Sequence, residues 1–192
     1  MPNTLLRSFI ALYPDPEASR HIAAFLESLA RKNRQVKWEK QGQVHITLKF
    51  LGDVRASTLD ALHGVLESKL RGSGEVEGLI DKTGGFPNLR EPRIIWLGFS
   101  ANVPRIMEIQ KVIEDACEQQ GLPRETKRFT PHFTIGRVKS QNGLADLEND
   151  LASCSFQAVP VRAAAVRIMQ STLTPNGAIH RERASILLTP GE

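Results

Sequence analysis

The sequence predicts an α+β fold in which two lobes face each other across a cleft. One short phrase, a histidine, any residue, a threonine and an aliphatic residue, occurs twice, at residues 45–48 and 132–135. The predicted order strand, helix, strand, strand, helix recurs approximately on both sides of residue 90. No long linker separates the halves, and 192 residues suit one compact domain. We therefore expect residues 1–192 to form a single domain, a duplicated unit with two pseudo-symmetric lobes.

Four elements and the first motif strand are predicted before residue 75. They are a strand at 5–13, a helix at 17–32, a short strand at 36–40, the motif strand ended by Gly52-Asp53, and a helix at 57–70. Proline residues around Asp15 end the first strand, and apolar residues at helical spacing identify both helices. His63 lies beside the apolar stripe of the second helix, so we interpret it as a surface residue.

The second half begins with a strand at 76–81 that leads into Gly84-Gly85-Phe86-Pro87, which is predicted to be an irregular loop. The elements that follow are a strand at 93–99, a helix at 103–120, the second motif strand, a short helix at 144–152, and strands at 161–169 and 178–188. The last two strands are joined by residues 171–177, where Pro175-Asn176-Gly177 is typical of a hairpin turn.

Composition indicates a soluble globular protein, with 41% hydrophobic and 24% charged residues. No apolar run is long enough to cross a bilayer, and the N-terminus lacks the pattern of a signal peptide. Cys117 and Cys154 are far apart in the sequence, so we expect reduced thiols and a cytoplasmic location. We also expect a monomer. The net charge of +4 favours a polyanionic partner.

The two-residue period of a β-strand determines which motif side chains share a face. His45 and Thr47 share one face of the first motif strand, and apolar residues take the other: Val44, Ile46, Leu48 and Phe50. The second strand repeats the arrangement, with Thr130, His132 and Thr134 opposite Phe133 and Ile135. Chance copies at two of the five histidines would be roughly a one-in-a-thousand event on ordinary composition. The pair of motifs therefore predicts a catalytic site.

Two histidines across a cleft can divide acid–base work, because imidazole titrates near physiological pH. A threonine hydroxyl beside each can donate a hydrogen bond to an anionic oxygen held between them. This arrangement suits in-line attack at phosphorus, where the nucleophile and the leaving group lie on opposite sides. The sequence contains no clustered metal ligands, and Gly72 and Gly74 resemble a phosphate-binding loop only superficially. We expect neither a metal nor a cofactor.

These motifs resemble those of the 2H phosphoesterase superfamily, and more closely those of the RNA 2′,3′-cyclic phosphodiesterases, also called 2′-5′ RNA ligases. The resemblance covers nearly the whole chain, at residues 7–12, 38, 45–52, 86–87, 93–98, 129–137 and 170–171. It implies two antiparallel sheets that line a V-shaped cleft, with helices outside. It also implies hydrolysis of a terminal 2′,3′-cyclic phosphate on RNA to a 2′-phosphomonoester, and leaves open reversible 2′-5′ RNA ligation.

By the same resemblance, His45 is the proton donor to the departing 3′ oxygen and His132 is the proton acceptor from water. Thr47 and Thr134 would bind the non-bridging phosphate oxygens. Arg137 lies where the family often has an arginine, although strict alternation directs it away from His132. His180 occupies a position where relatives often carry an aromatic residue, a departure that affects the rim of the cleft.

Three other interpretations remain open. Another 2H activity, on small cyclic nucleotides or oligonucleotide ends, would keep both histidines in their roles. A non-catalytic module that captures RNA ends would not need paired proton donors and acceptors, and an interaction protein would make the double motif accidental. The basic residues 124–128 either form a solvated connector or face phosphate.

Overall fold

The computed structural model describes residues 4–101, 103–142, 144, 146–153, 156–175 and 177–189. The helices in these ranges are α1 (Pro16–Lys32), α2 (Ala56–Leu70), α3 (Pro104–Gln119) and α4 (Leu147–Ser153). The strands are β1 (Leu5–Leu12), β2 (Val36–Trp38), β3 (Ile46–Arg55), β4 (Val76–Ile80), β5 (Lys82–Phe86), β6 (Ile94–Gly98), β7 (Phe133–Val138), β8 (Val159–Ala163), β9 (Ala165–Thr174) and β10 (Gly177–Leu187).

Two antiparallel half-sheets meet between the two motif strands. One half has the order β10-β9-β1-β3, and the other has the order β7-β6-β5 with β2 also paired to β7. Strand β3 pairs with β7 through Ile46 and Phe133, which joins the halves into one eight-stranded sheet. Strands β4 and β8 form a separate antiparallel pair. The predicted α+β fold with antiparallel sheets is confirmed.

The helices pack by the apolar stripes that the sequence predicts. Asp15 caps α1, where its Oδ1 accepts hydrogen bonds from the backbone N–H groups of Glu17 and Ala18, both at 2.9 Å. The buried stripes of α1, α2 and α3 include Ile22, Leu26 and Leu29, then Leu59, Leu62, Leu66 and Leu70, then Ile106, Ile109 and Ile113. They belong to one core with the back of the sheet. The opposite face of the motif strands is therefore left for the site.

Several predicted boundaries were wrong. Gly52-Asp53 does not end the first motif strand: Gly52 has φ +71°, yet β3 continues to Arg55 in register with β1. The segment predicted to be an irregular loop is strand β5, in which Gly84 leaves room for the Trp96 ring. The predicted strand at 161–169 is divided, because β8 pairs with β4 and β9 pairs with β1. Asn176 of the predicted hairpin turn lies outside the described residues.

A buried ion pair links β3 to α3, and hydrogen bonds connect it to the segment that precedes β7. The Lys49 ammonium donates to Glu114 Oε2 at 2.7 Å and to the carbonyl of Pro123 at 2.9 Å. The same carboxylate oxygen accepts from the backbone N–H of Glu125 at 3.3 Å. Both charged side chains are buried, so each charge depends on the other and on these hydrogen bonds.

The single described cysteine is not part of a disulfide. Cys117 is free and fully buried, and burial raises the pKa of its thiol to about 12. Cys154 lies outside the described residues. Cys117 therefore stays a neutral thiol in the core.

No helix in the described part of the chain combines the length and the apolar character that a membrane crossing requires.

Candidate active site

The joint between β3 and β7 brings the two motifs together. Ile46 and Phe133 pair across it, and each is only 2% exposed. In an antiparallel pair the flanking positions face one another on the opposite side of the sheet. The register of this one pair places His45 and Thr134 at one flank of the joint and Thr47 and His132 at the other. All four are less buried than the pair between them.

Both histidine rings are held by the same local hydrogen bond. His45 Nδ1 donates to the carbonyl of Gln43 at 2.6 Å, and His132 Nδ1 donates to the carbonyl of Thr130 at 2.8 Å. A carbonyl oxygen only accepts, so the hydrogen of each neutral ring is on Nδ1. In both rings Nε2 is thereby the atom that can accept or donate a proton in the cleft.

Each motif strand contains a bulge just after its threonine. Along β3 the pairing with β1 passes from Thr47 to Lys49, and along β7 the pairing with β6 passes from Thr134 to Gly136. The skipped residues are the aliphatic residues of the motifs, Leu48 and Ile135. One extra residue shifts the alternation of every side chain that follows.

The bulges change the orientation of the fifth residue after each histidine. Phe50, which alternation placed on the apolar face, is 71% exposed and lies 6.3 Å from the Phe9 ring on the cleft side. Arg137, which alternation directed away, carries a charge that lowers the pKa of His45, His132 and His180. Its Nε also lies 3.4 Å from Glu39. Strict alternation was therefore wrong for Phe50 and for Arg137, because the bulge in each strand moves the residues after it to the other face.

Aromatic rings surround His45. Phe9 stacks on it at 5.0 Å between ring centroids, and Tyr13 lies at 5.2 Å. The pKa of His45 is lowered to about 4, mainly by burial and in smaller part by the charges of His180, Arg137 and His132. The bond to the Gln43 carbonyl acts in the opposite direction. Free His45 is therefore neutral at pH 7.

His132 lies in a second aromatic environment. Phe86 contacts it edge-on at 5.0 Å between centroids, and Trp96 lies at 6.5 Å. Burial lowers its pKa, as does Arg137, while the hydrogen bond to Thr130 raises it. Neither histidine has the environment of a freely solvated imidazole.

His180 lies beside the first motif histidine although it belongs to neither motif. Strand β10 places its ring 5.8 Å from the His45 ring and 4.9 Å from Phe9, edge-on to both. Its Nδ1 is buried without a hydrogen-bond partner among the described residues. The sequence indicated only an unusual residue at the rim, because His180 lies in no motif and reaches His45 through the strands β9 and β1.

Among the basic residues 124–128, Arg124 is engaged by helix α3. Arg124 forms ion pairs with Asp115 and Glu118 of α3, the second at 2.9 Å. The Arg124 guanidinium is thus paired with carboxylates of α3, which supports the interpretation that this residue belongs to a connector and does not face phosphate. Within the described ranges, no three histidine, cysteine, aspartate or glutamate residues are grouped so that they could hold a metal ion.

Two imidazoles that are held through Nδ1, each two residues before a threonine, keep Nε2 for proton transfer and can act on opposite sides of a phosphorus. The fold and the repeated His-x-Thr motif are those of a two-histidine phosphoesterase. The sequence profile of the 2′-5′ RNA ligase superfamily matches residues 13–173, and the chain belongs to that superfamily.

Named relatives agree with this membership, and solved structures share the fold. The chain is 31% identical over 180 residues to an RNA 2′,3′-cyclic phosphodiesterase of Methanothermobacter thermautotrophicus, covering 92% of this chain and 96% of the relative. It is 29% identical to the protein of the same name from Thermotoga maritima, covering 92% of each. The protein TT0787 of Thermus thermophilus superposes with a TM-score of 0.78 at 20% identity, covering 97% of this chain and 100% of that one. E. coli LigT complexed with 3′-AMP gives a TM-score of 0.74 at 18% identity, covering 96% and 99%.

Proposed function

We propose that the protein hydrolyses the terminal 2′,3′-cyclic phosphate of RNA to a 2′-phosphomonoester by acid–base catalysis with two histidines. The observation that carries the proposal is the matched pair of histidines, each fixed through Nδ1, which leaves Nε2 of each ring for proton transfer. The relatives named RNA 2′,3′-cyclic phosphodiesterase support the choice of substrate.

In this mechanism neutral His132 accepts a proton from water through Nε2 as the water oxygen bonds to phosphorus. The bond from phosphorus to the 3′ oxygen breaks in line with the attack, and His45 gives its Nε2 proton to that oxygen. Thr47 and Thr134 donate hydrogen bonds to the non-bridging oxygens. Arg137 supplies positive charge beside them. The products are a 3′-hydroxyl and a 2′-phosphate, and one proton has passed to His132 as one has left His45.

Protonation of His45 is coupled to substrate binding in this scheme. Its pKa of about 4 leaves it neutral in the free protein at pH 7, whereas a proton donor must be charged. A phosphate anion beside the ring favours the charged form and raises its pKa. The aromatic environment then makes the protonated ring a stronger acid than a solvated imidazole, which suits the donor role.

The same groups would also serve RNA ligation. If the 5′-hydroxyl of a second RNA takes the place of water, attack on the cyclic phosphate forms a 2′-5′ linkage with His132 as the base. The 3′ oxygen leaves with the proton of His45, as it does in hydrolysis. We include this ligation in the proposal because the geometry needs no additional group for it.

The test is incubation of the purified protein with an RNA that ends in a 2′,3′-cyclic phosphate, with and without a 5′-hydroxyl RNA, followed by phosphorus NMR. A 2′-phosphate product that still forms in excess chelator is expected. A 3′-phosphate as the main product would exchange the roles of His45 and His132. Binding without any turnover would replace the proposal by an RNA-end-binding module, and turnover of small cyclic nucleotides alone would move it to another substrate.

A further inference from the structure

The proposed function determines where the rest of the substrate must lie, and this inference rests on it. Water attacks from the His132 side, in line with the departing 3′ oxygen next to His45. The ribose carries that oxygen, so the nucleoside and the RNA that precedes it lie toward His45. The half-sheet β10-β9-β1-β3 is therefore the surface that the RNA chain meets.

An arginine is seated on this half-sheet beside the catalytic ring. Tyr13 lies 5.2 Å from His45 between ring centroids, and the guanidinium carbon of Arg167 lies 5.0 Å above the Tyr13 ring. Arg167 pairs with Ala11 across β1 and β9, so it shares the cleft face with Phe9 and Met169. Burial raises the pKa of Tyr13 to about 12, and its ring is thus a neutral platform. Two contacts of about 5 Å separate the guanidinium from His45.

The existing partner of Arg167 does not occupy the whole guanidinium. Its Nη1 lies 3.4 Å from Glu182, and the two side chains are 40% and 43% exposed. An exposed ion pair of this length contributes little stability. A guanidinium has five N–H donors in a planar fork that matches phosphate oxygens, and stacking on an aromatic ring keeps that fork oriented.

We propose that Arg167, held flat on Tyr13, binds the phosphodiester on the 5′ side of the terminal nucleotide. Glu182 pairs with the guanidinium while no RNA is bound and competes with the phosphate for it. The substrate class that follows is the end of an RNA chain, in preference to a free nucleoside cyclic phosphate. The subsite reads only backbone charge, so it is independent of the base.

The experiment compares two substrates that differ in one phosphodiester. The first is a dinucleotide that ends in a 2′,3′-cyclic phosphate, and the second is the matching nucleoside 2′,3′-cyclic phosphate without a 5′ phosphate. Arg167→Gln is expected to lower kcat/KM for the dinucleotide by roughly 10- to 100-fold, the worth of a charged hydrogen-bonded contact, and to leave the mononucleoside unchanged. A dinucleotide with an uncharged methylphosphonate linkage should lose the same factor with the wild-type protein and nothing more with the variant.

Glu182→Gln separates phosphate binding from a structural role. If Glu182 competes with the phosphate, its removal raises kcat/KM for the dinucleotide, opposite in sign to Arg167→Gln. A purely structural ion pair would make both variants lose activity on both substrates, and that result would overturn the inference. Arg183→Gln is the matched control. Arg183 follows Glu182 on β10 but pairs with Asp60 of α2 at 2.7 Å, so this substitution should change the hydrolysis of neither substrate.

Failure of this inference is distinguishable from failure of the proposed function. If every variant hydrolyses each substrate as fast as the wild-type protein does, the proposed phosphate subsite is excluded. The two-histidine hydrolysis then remains intact. Arg167→Lys keeps the charge without the fork, and an intermediate loss on the dinucleotide alone is expected. If the wild-type protein hydrolyses neither substrate, the proposed function itself fails.

Discussion

Strands β3 and β7 hold their histidines in the same way and surround them differently. Each ring donates from Nδ1 to the carbonyl two residues earlier, and each strand bulges at the residue after its threonine. The residues beyond the bulge differ. The fourth residue after the histidine is a buried lysine in β3 and a buried glycine in β7, and the fifth is an exposed phenylalanine and an exposed arginine.

The motif backbone orients each histidine ring, whereas the neighbouring side chains set its pKa. The backbone of each motif orients Nε2, and it does so equally on both sides. The neighbours determine which ring is more readily protonated: His45 lies between Phe9, Tyr13 and His180, and its pKa falls to about 4, whereas the pKa of His132 is lowered by burial and by Arg137. A repeated motif therefore does not imply a repeated environment.

Removing either histidine should have the largest effect on activity. His45→Ala and His132→Ala are each expected to lower kcat by roughly 10²- to 10⁴-fold, the contribution of a positioned acid or base. Both rings lie outside the main core, so thermal unfolding should stay cooperative. Wild-type turnover in either variant would contradict the mechanism.

A substrate with sulfur at the leaving position distinguishes His45→Ala from His132→Ala. A cyclic phosphate with sulfur in place of the 3′ oxygen has a leaving group that needs little protonation. The defect of His45→Ala should shrink on this substrate, while the defect of His132→Ala should remain. The reverse pattern would exchange the acid and the base.

Removal of the buried lysine tests the structural difference between the strands. Lys49→Met leaves the Glu114 carboxylate uncompensated in the core, and we expect a loss of about 3–5 kcal/mol in the free energy of unfolding, measured by urea denaturation. The double variant Lys49→Met with Glu114→Gln should recover much of this loss. A single variant as stable as the wild type would show that the ion pair does not hold β3 to α3.

The threonines test how evenly the phosphate is shared between the motifs. Thr47→Val and Thr134→Val keep the side-chain shape and remove a hydrogen-bond donor, and each should lower kcat by about 10²-fold. Equal losses mean that the non-bridging oxygens are held symmetrically. Unchanged kinetics in both variants, with circular dichroism as the control for folding, would make the threonines structural.

The pH profile is expected to show the smallest effect. The mechanism needs one histidine charged and one neutral, and kcat/KM reports the free enzyme. Because the pKa of His45 is about 4 and that of His132 is below 6.5, the acid limb should lie near pH 4 and the alkaline limb below pH 6.5. Both limbs of the kcat profile should lie higher, since bound phosphate favours the charged rings.

His180→Phe removes one of the charges that lower the pKa of His45 and keeps an aromatic edge against Phe9. Burial is the larger cause of the lowered His45 pKa, so we expect the acid limb of the profile to move to higher pH by less than about one pH unit. The alkaline limb should not move. His63→Phe on the surface of α2 is the control. A shift of the alkaline limb alone would mean that His180 acts on His132.

Local patterns in the sequence predicted much of the molecule. Helical stripes such as Leu59, Leu62 and Leu66 became buried faces, because a period of about 3.6 residues depends on nothing outside the helix. The two His-x-Thr motifs predicted the four residues that meet at the joint between β3 and β7. Both signals lie within a few consecutive residues.

Features that depend on a distant partner could not be predicted. The bulges at Leu48 and Ile135 exist only in register with β1 and β6, and they decide where Phe50 and Arg137 point. Two glycines at 84–85 indicated a loop, although the Trp96 ring fills the space above that strand. His180 reaches His45 only through the order of the strands in the sheet.

The ion pair between Lys49 and Glu114 also predicts how this family can diverge. Neither residue touches substrate in the proposed mechanism, and each is buried with the other as its counter-charge. A lineage that loses one must pass through a destabilised protein, so the two positions should be substituted together or not at all. We expect both residues to be replaced together by apolar residues of similar volume. The Pro123 carbonyl, which accepts a hydrogen bond from Lys49, would then need another donor. Covariation between positions 49 and 114 across homologous sequences would then record a constraint of the core, separate from selection on the chemistry.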